Sequence, residues 1–262
     1  MRTLRFLVSR RWAMFAVVVA LLVYLAWWLG QWQFHRLEDR RARNATTVAN
    51  EQAAPVPVDR VLAVGEPVPE TDEWRLVEAR GTYDPGGTVI VRYQSRDGAS
   101  GVDVVVPLVT ASGAAVLVDR GWLASENSAA LPEVPPPPAG EVTVTGWVRV
   151  DGTGSSTKVT DRSTRAISSE AIGPALDRAV YGGFVDLKSE DPAPSQPLTR
   201  AELPDLGEGP HFFYGLQWWF FGALAVFGFF YLAYDEWRGQ GRPAALRRGS
   251  TRANRLRQRR RG

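Results

Sequence analysis

Two stretches of this chain, Trp12–Phe34 and Phe212–Tyr234, carry no charged residue over 23 positions each. A helix needs about 20 apolar residues to cross the hydrocarbon core of a bilayer, so the sequence predicts two membrane spans near its ends. The first window is too long for the roughly 7–15-residue apolar region of a signal peptide, and no small-x-small cleavage site follows it closely. It is read as an uncleaved anchor. Only eleven residues precede it, which leaves no room for a long transit peptide and predicts a bacterial plasma membrane.

Charge sets the expected orientation. Residues 1–11 contain Arg2, Arg5, Arg10 and Arg11 and no acid, giving +4, and residues 235–262 carry ten arginines against Asp235 and Glu236, giving +8. Against an overall +3, that leaves −9 for the middle. Basic flanks stay in the cytoplasm. The expected layout is a cytoplasmic N-terminus (1–11), a first span (12–34), an exported domain (35–210), a second span (211–234) and a basic cytoplasmic tail (235–262). Arg36, Arg40, Arg41 and Arg43 weigh against this after the first span, so the tail decides it. Such a tail beside a span meets anionic lipid head groups, and no nucleic-acid partner is expected.

Composition removes whole classes of chemistry. There is no cysteine, hence no disulfide, thiolate metal site or c-type haem attachment. Methionine occurs twice and histidine twice, as His35 and His211, which excludes a Met-rich copper site and most His-based metal sites. Indole rings favour the head-group layer. Trp27, Trp28 and Trp32 crowd the outer end of the first span, Trp218 and Trp219 that of the second, and Trp12 and Trp237 mark the inner ends.

The middle reads as β. Runs rich in Val, Thr and aromatics occur at 73–83, 88–94, 102–110, 114–123, 141–150 and 181–187, with Pro85-Gly86-Gly87 and Ser112-Gly113 as turns. Residues 36–43 extend the first helix until Pro55 and Pro57 break it. Pro135–Pro138 is a stiff polyproline joint, 151–165 reads as a mobile Gly/Ser/Thr loop, and 168–176 as a short helix capped by Ser169. The predicted fold is a membrane protein: two transmembrane α-helices flanking an extracytoplasmic, mainly antiparallel β domain, partly closed and barrel-like.

Three motifs stand in order: Gly30-Gln31-Trp32-Gln33-Phe34-His35-Arg36 at the end of the first span, Val118-Asp119-Arg120-Gly121-Trp122 in the centre, and His211-Phe212-Phe213-Tyr214-Gly215-Leu216-Gln217-Trp218 at the start of the second. Together they resemble the Surfeit-locus family of cytochrome c oxidase assembly proteins. That family shows Gly-x-Trp-Gln-x-x-Arg, Val-x-Arg-Gly-Trp and His-x-x-Tyr-x-x-Gln-Trp at these places. Gly101 to Pro107-Leu108 and Val144–Val148 fit as well. Arg40 stands where the family has Lys.

The resemblance implies a non-enzymatic assembly factor that binds haem a transiently and serves the oxidase catalytic subunit, with haem a synthase as a further partner. On a 100° wheel His211, Tyr214, Gly215, Trp218 and Gly222 share one face, as do Trp28, Gln31, Trp32 and His35 on the first span. A neutral imidazole can ligate haem iron and arginine can pair propionates. The candidate cofactor residues are therefore His211, as the metal ligand, with Tyr214, Trp218, His35, Trp32 and Arg36. Arg40 and Arg120 are further propionate candidates. Gly30, Gln33, Arg120, Gly121, Trp122 and Gln217 are candidate partner or structural positions, and the two glutamines are read as capping or bridging the helices. A protein-only membrane scaffold is the alternative. A Ser–Lys protease is more remote, because the only lysines are Lys158 and Lys188 and Lys158 lies with Ser155 and Ser156 in a polar loop that cannot desolvate it.

Overall fold

The computed structural model describes residues 7–126, 133–202 and 204–239. Most of the basic tail, and the first six residues of the N-terminal segment, lie outside the described residues. Two compact units divide the chain: residues 42–206, and the flanking segments up to Arg41 and from Gly207.

The flanking unit is a pair of antiparallel helices, α1 (Arg10–Gln52) and α3 (His211–Gly239). Both are long and apolar enough to cross a membrane. Helix α1 runs past its apolar window because Arg36–Arg43 are good helix formers, and it stops at Gln52 just before Pro55 and Pro57.

The central unit is a closed five-stranded barrel with additions. Strands β2 (Leu76–Tyr83), β4 (Ala99–Thr110), β5 (Ala115–Ala124), β6 (Glu141–Arg149) and β8 (Phe184–Asp191) pair in the order β2-β6-β8-β5-β4, and β2–β4 pairing closes the ring. Within the ring only β5–β8 is parallel. Strand β3 (Val89–Arg96) pairs outside β4, and two-residue strands β1 (Val56–Pro57) and β7 (Ser163–Thr164) add at the margins.

Alternation along β4 and β5 sorts the core. Val102, Val104, Val106, Leu108, Val116 and Val118 fill the barrel. Val105, Ala115 and Leu117 face a second cluster with Ile172 of α2 (Ser169–Ala175). Strands buried on both faces read as unbroken apolar runs, which is why Val104-Val105-Val106 shows no alternation.

Three sequence expectations are corrected. The strand at 88–94 and that at 102–110 extend toward each other as one hairpin, because Asp97 (φ 50°) and Gly98 (φ 77°) make a two-residue turn. Positive φ at both central residues is the Asp-Gly hairpin geometry. The loop 151–165 is ordered: a 3-10 turn at Gly154–Thr157 precedes β7, and the Thr164 hydroxyl lies 3.0 Å from the Ser156 carbonyl and 2.9 Å from that of Ala166. Ser169 is not the cap of α2. Ser168 holds that position without a side-chain bond, and the Asp151 carboxylate accepts the Ser169 N–H at 2.7 Å.

The barrel interior holds an ion pair. Arg120 follows the inward parity of Val116 and Val118 and is 1% exposed. Its Nη2 donates to Glu190 at 3.4 Å and its Nη1 to the Pro135 carbonyl at 3.2 Å, while Nε has no partner. Glu190 reaches the interior because a bulge at Lys188 shifts the parity of β8. It also accepts the Tyr83 hydroxyl at 2.8 Å, with Arg200 at 3.9 Å. Burial, then the Glu190 charge, raises the Tyr83 phenol well above its ordinary range, so it stays a donor.

Removing one partner of a buried ion pair strands the other, at a cost of about 3–5 kcal/mol. Arg120→Ala is therefore expected to lower the Tm of the full-length protein in detergent by roughly 10 °C. A loss of only a degree or two in calorimetry would show the pair to be dispensable.

Candidate functional site

In the helix pair, glycines decide how closely the backbones approach. A Cβ on Gly30 would lie 2.2 Å from the Trp219 indole nitrogen and 3.3 Å from the Gly215 carbonyl, and one on Gly215 would lie 2.9 Å from the Phe34 ring. Gly222 meets Ala26 with the two Cβ positions 3.4 Å apart. Aromatic contacts extend the seam at both ends. Phe34 packs on Trp219 with centroids 4.9 Å apart, and Trp12 and Phe15 pack on Phe229 at 5.7 and 5.5 Å. Lipid tails are as apolar as these side chains, so close packing rather than the hydrophobic effect holds such a pair.

A polar bond crosses the seam. His211 Nδ1 lies 2.9 Å from Gln33 Oε1. An amide oxygen only accepts, so Nδ1 is the donor in this contact and Nε2 is the ring nitrogen outside it. No hydrogen bond engages Nε2 among the described residues. At 100° per residue, Tyr214 and Trp218 lie on the same flank of α3 as His211. Arg36 lies about 60° from Gln33 on α1 and its guanidinium carbon is 5.5 Å from the Trp32 ring centroid.

The seam is tied off beyond the apolar windows. Arg40 Nε donates to the Gly207 carbonyl, and Arg41 binds Glu208 through two bonds of 2.8 Å each. That pairing lowers the Glu208 carboxyl and raises the Arg41 guanidinium from their ordinary values. Both side chains are about half exposed, so the pair positions more than it stabilises.

Other sequence candidates fall elsewhere. His35 is two residues, about 200°, round α1 from Gln33. It is exposed, as are Trp28 and Trp32, and it is not brought to His211. Gln217 is also exposed, and no bond joins it to α1, so of the two glutamines only Gln33 bridges the helices. Arg120 is enclosed in the barrel and cannot meet a propionate. Gly121 and Trp122 are structural as well. Gly121 has φ 127° and a Cβ there would lie 2.3 Å from the Thr199 carbonyl, while Trp122 exchanges backbone bonds with Thr199. Trp122 also covers Gly101, where a Cβ would meet its ring at 2.2 Å. Sequence reasoning missed the Arg41–Glu208 clamp and the inward Glu190, both of which depend on pairings distant in the chain.

A model of the SURF1 family matches residues 20–223, through both helices and the barrel. The chain belongs to the SURF1 family. Proteins of this family are generally cytochrome oxidase assembly factors, and generally not enzymes. Uncharacterised SURF1-like proteins of Mycobacterium bovis and of Mycobacterium tuberculosis strains H37Rv and CDC 1551 are each 29% identical over 251 residues, covering 94% of this chain and 92% of theirs. Family membership and the two apolar helices together put this protein at a membrane.

The Ala26–Gly222 contact yields a direct check of the seam. A disulfide needs Cβ atoms about 3.5–4.5 Å apart, and the chain has no cysteine of its own. Ala26→Cys/Gly222→Cys is expected to cross-link on mild oxidation in native membranes. The product should appear as an intramolecular band-shift that reductant reverses. Tyr24→Cys/Gly222→Cys, which moves the first thiol about 200° round α1, should not react.

Proposed function

We propose that this SURF1 protein binds haem a transiently during assembly of the cytochrome c oxidase catalytic subunit, with His211 as axial ligand. The observation that carries the reading is the His211–Gln33 bond. With Nδ1 donating to Gln33, a neutral ring would offer Nε2 to a metal, the arrangement by which metal-ligating histidines are held. Bound haem would supply an iron with an axial position open to a neutral imidazole. Tyr214 and Trp218 provide aromatic wall on the same flank, and Arg36 is the candidate guanidinium for a propionate. His35 and Trp32 face away from this flank and are left out of the first contacts.

The charge asymmetry supports export of the barrel, with both termini in the cytoplasm. The ligand would then sit at the head-group layer, where a flat, greasy ring with two carboxylates is soluble at both edges. No covalent step is required. The chain binds, orients and releases, and a single imidazole ligand keeps that release feasible. Haem a synthase fits as donor and the oxidase catalytic subunit as acceptor.

A protein-only scaffold remains the competing reading, favoured by the exposed rings of Phe213, Phe220 and Phe227, spaced by seven along α3. The absorption spectrum of protein purified from haem-a-producing cells separates the two. The wild type and His35→Ala are expected to carry haem a, and His211→Ala to lose most of it, with Gln33→Ala intermediate. Colourless wild-type protein beside a haem-loaded control would leave the scaffold reading standing. Full retention by His211→Ala would dismiss the ligand assignment alone.

A further inference from the structure

The outer face of the barrel carries a polar feature that the helix pair does not use. Asp119 precedes Arg120, so strand alternation turns it the other way, alongside Ala115 and Leu117. It is 4% exposed and lines a cleft of about 370 Å3. The cleft is bounded by Gln94–Arg96 of β3 and by residues 165–167. The β3–β7 pairing ends at Val91, so this part of β3 has a strand partner on one side only.

Asp103, Asp186 and Glu202 also line the cleft. Two of its three guanidinium groups are held by other carboxylates. Arg96 donates to Asp103 at 3.1 Å and to the carbonyls of Thr199 and Arg200. Arg149 is held by Glu73 at 3.1 Å and Asp186 at 2.7 Å, over the Trp74 ring at 4.1 Å. Arg165 lies 4.7 Å from the Tyr93 ring centroid. Asp119 has capacity to spare. Its Oδ1 accepts the Gly121 N–H at 2.9 Å, and its Oδ2 accepts nothing from the described residues. No guanidinium of the cleft is bonded to Asp119 among the described residues. No three carboxylates or imidazoles among them are disposed to hold a metal ion, and a carboxylate oxygen facing a polar cleft suits an N–H donor.

We propose that this cleft binds a guanidinium or primary ammonium group, with Asp119 as its counter-charge and Asp103 and Asp186 as neighbouring acceptors. A carboxyl oxygen that faces such a cleft is satisfied by a proton, by water or by a cation. Burial, then the Asp103 and Asp186 charges, raises Asp119 well above the usual carboxylate range, against the Gly121 N–H and Arg96. Burial also raises Asp103, to about 6, against Arg96 and with Asp186 adding to it. Asp186 is raised by burial against Arg149, with Glu73 adding to it. The incoming cation forms an N–H···O bond to the Asp119 carboxylate, and the displaced proton leaves to solvent. Because the native carboxyl holds its proton above its ordinary pKa, binding releases that proton, and affinity rises with pH until Asp119 is ionised without help.

Full-length protein in detergent, titrated calorimetrically with spermidine and separately with a blocked Gly-Arg-Gly peptide, tests this. Running each titration in two buffers of different ionisation enthalpy counts protons. Saturable one-to-one binding with proton release at pH 6 is expected, with affinity loss of about thirtyfold or more in Asp119→Asn. A citrulline peptide should not bind. Preference for the peptide assigns the cation to a partner protein's side chain, and preference for spermidine assigns it to a free amine. Absence of binding by both probes overturns the proposal. So does equal binding of the citrulline peptide, unchanged affinity in Asp119→Asn, or wild-type binding without proton release, the last holding even if the variant fails to fold.

Discussion

Everything proposed for the helix pair depends on how close α1 and α3 can come. In a bilayer the apolar side chains gain nothing from leaving lipid for one another, so contact must come from shape. Gly30 and Gly215 supply it by leaving room for Trp219 and Phe34. Only at that spacing does Gln33, a side chain of modest reach, meet His211 across the seam at 2.9 Å. The placing of the imidazole is thus a consequence of two missing side chains. Bulk at Gly30 would push α1 from α3 and loosen the Gln33–His211 bond without touching either residue.

The barrel uses the same economy in a different geometry. Arg120 and Asp119 are adjacent in sequence, yet the pleat sends one into the core and the other to the outer face. A bulge sets Arg120 and Gly121 of β5 against the single residue Val104 of β4. Positive φ at Gly121 makes the bulge possible, and the close Thr199 carbonyl makes glycine the only residue that fits. The central motif therefore serves the barrel from inside: Arg120 ties Glu190, Pro135 and Tyr83 together, and Trp122 closes over Gly101.

Much of this could be read from the chain. Two charge-free windows forced the helices, and Val/Thr-rich runs with turn residues between them located six strands to within a few residues. Closure could not be read, because it rests on β2 meeting β4 and on β5 lying parallel to β8, pairings no local pattern encodes. The Asp97-Gly98 turn was legible in principle, since Asp-Gly between strand-like runs is a strong hairpin signal. The ordered state of 151–165 was hidden, because its anchors at Ser156 and Ala166 are ordinary backbone carbonyls. For the site, the wheel placed His211, Tyr214 and Trp218 on one flank of α3. It grouped His35 with Trp28 and Trp32 equally well, but could not tell that this second face points away from α3.

That asymmetry bears on what a carrier must do. A haem held between two histidines would gain a second coordinate bond, and each further 1.4 kcal/mol of binding slows release about tenfold at constant association rate. His35 and His211 on facing helices would have made such a clamp available. The helix pair instead presents one imidazole, oriented by a neutral amide rather than a carboxylate. Gln33 orients the ring but brings no charge to make it more basic, whereas carboxylate partners raise ligand basicity. In the proposed role, one oriented, weakly activated ligand would hold haem with little residence time. For a protein whose proposed task ends when the cofactor leaves, that is the favourable balance.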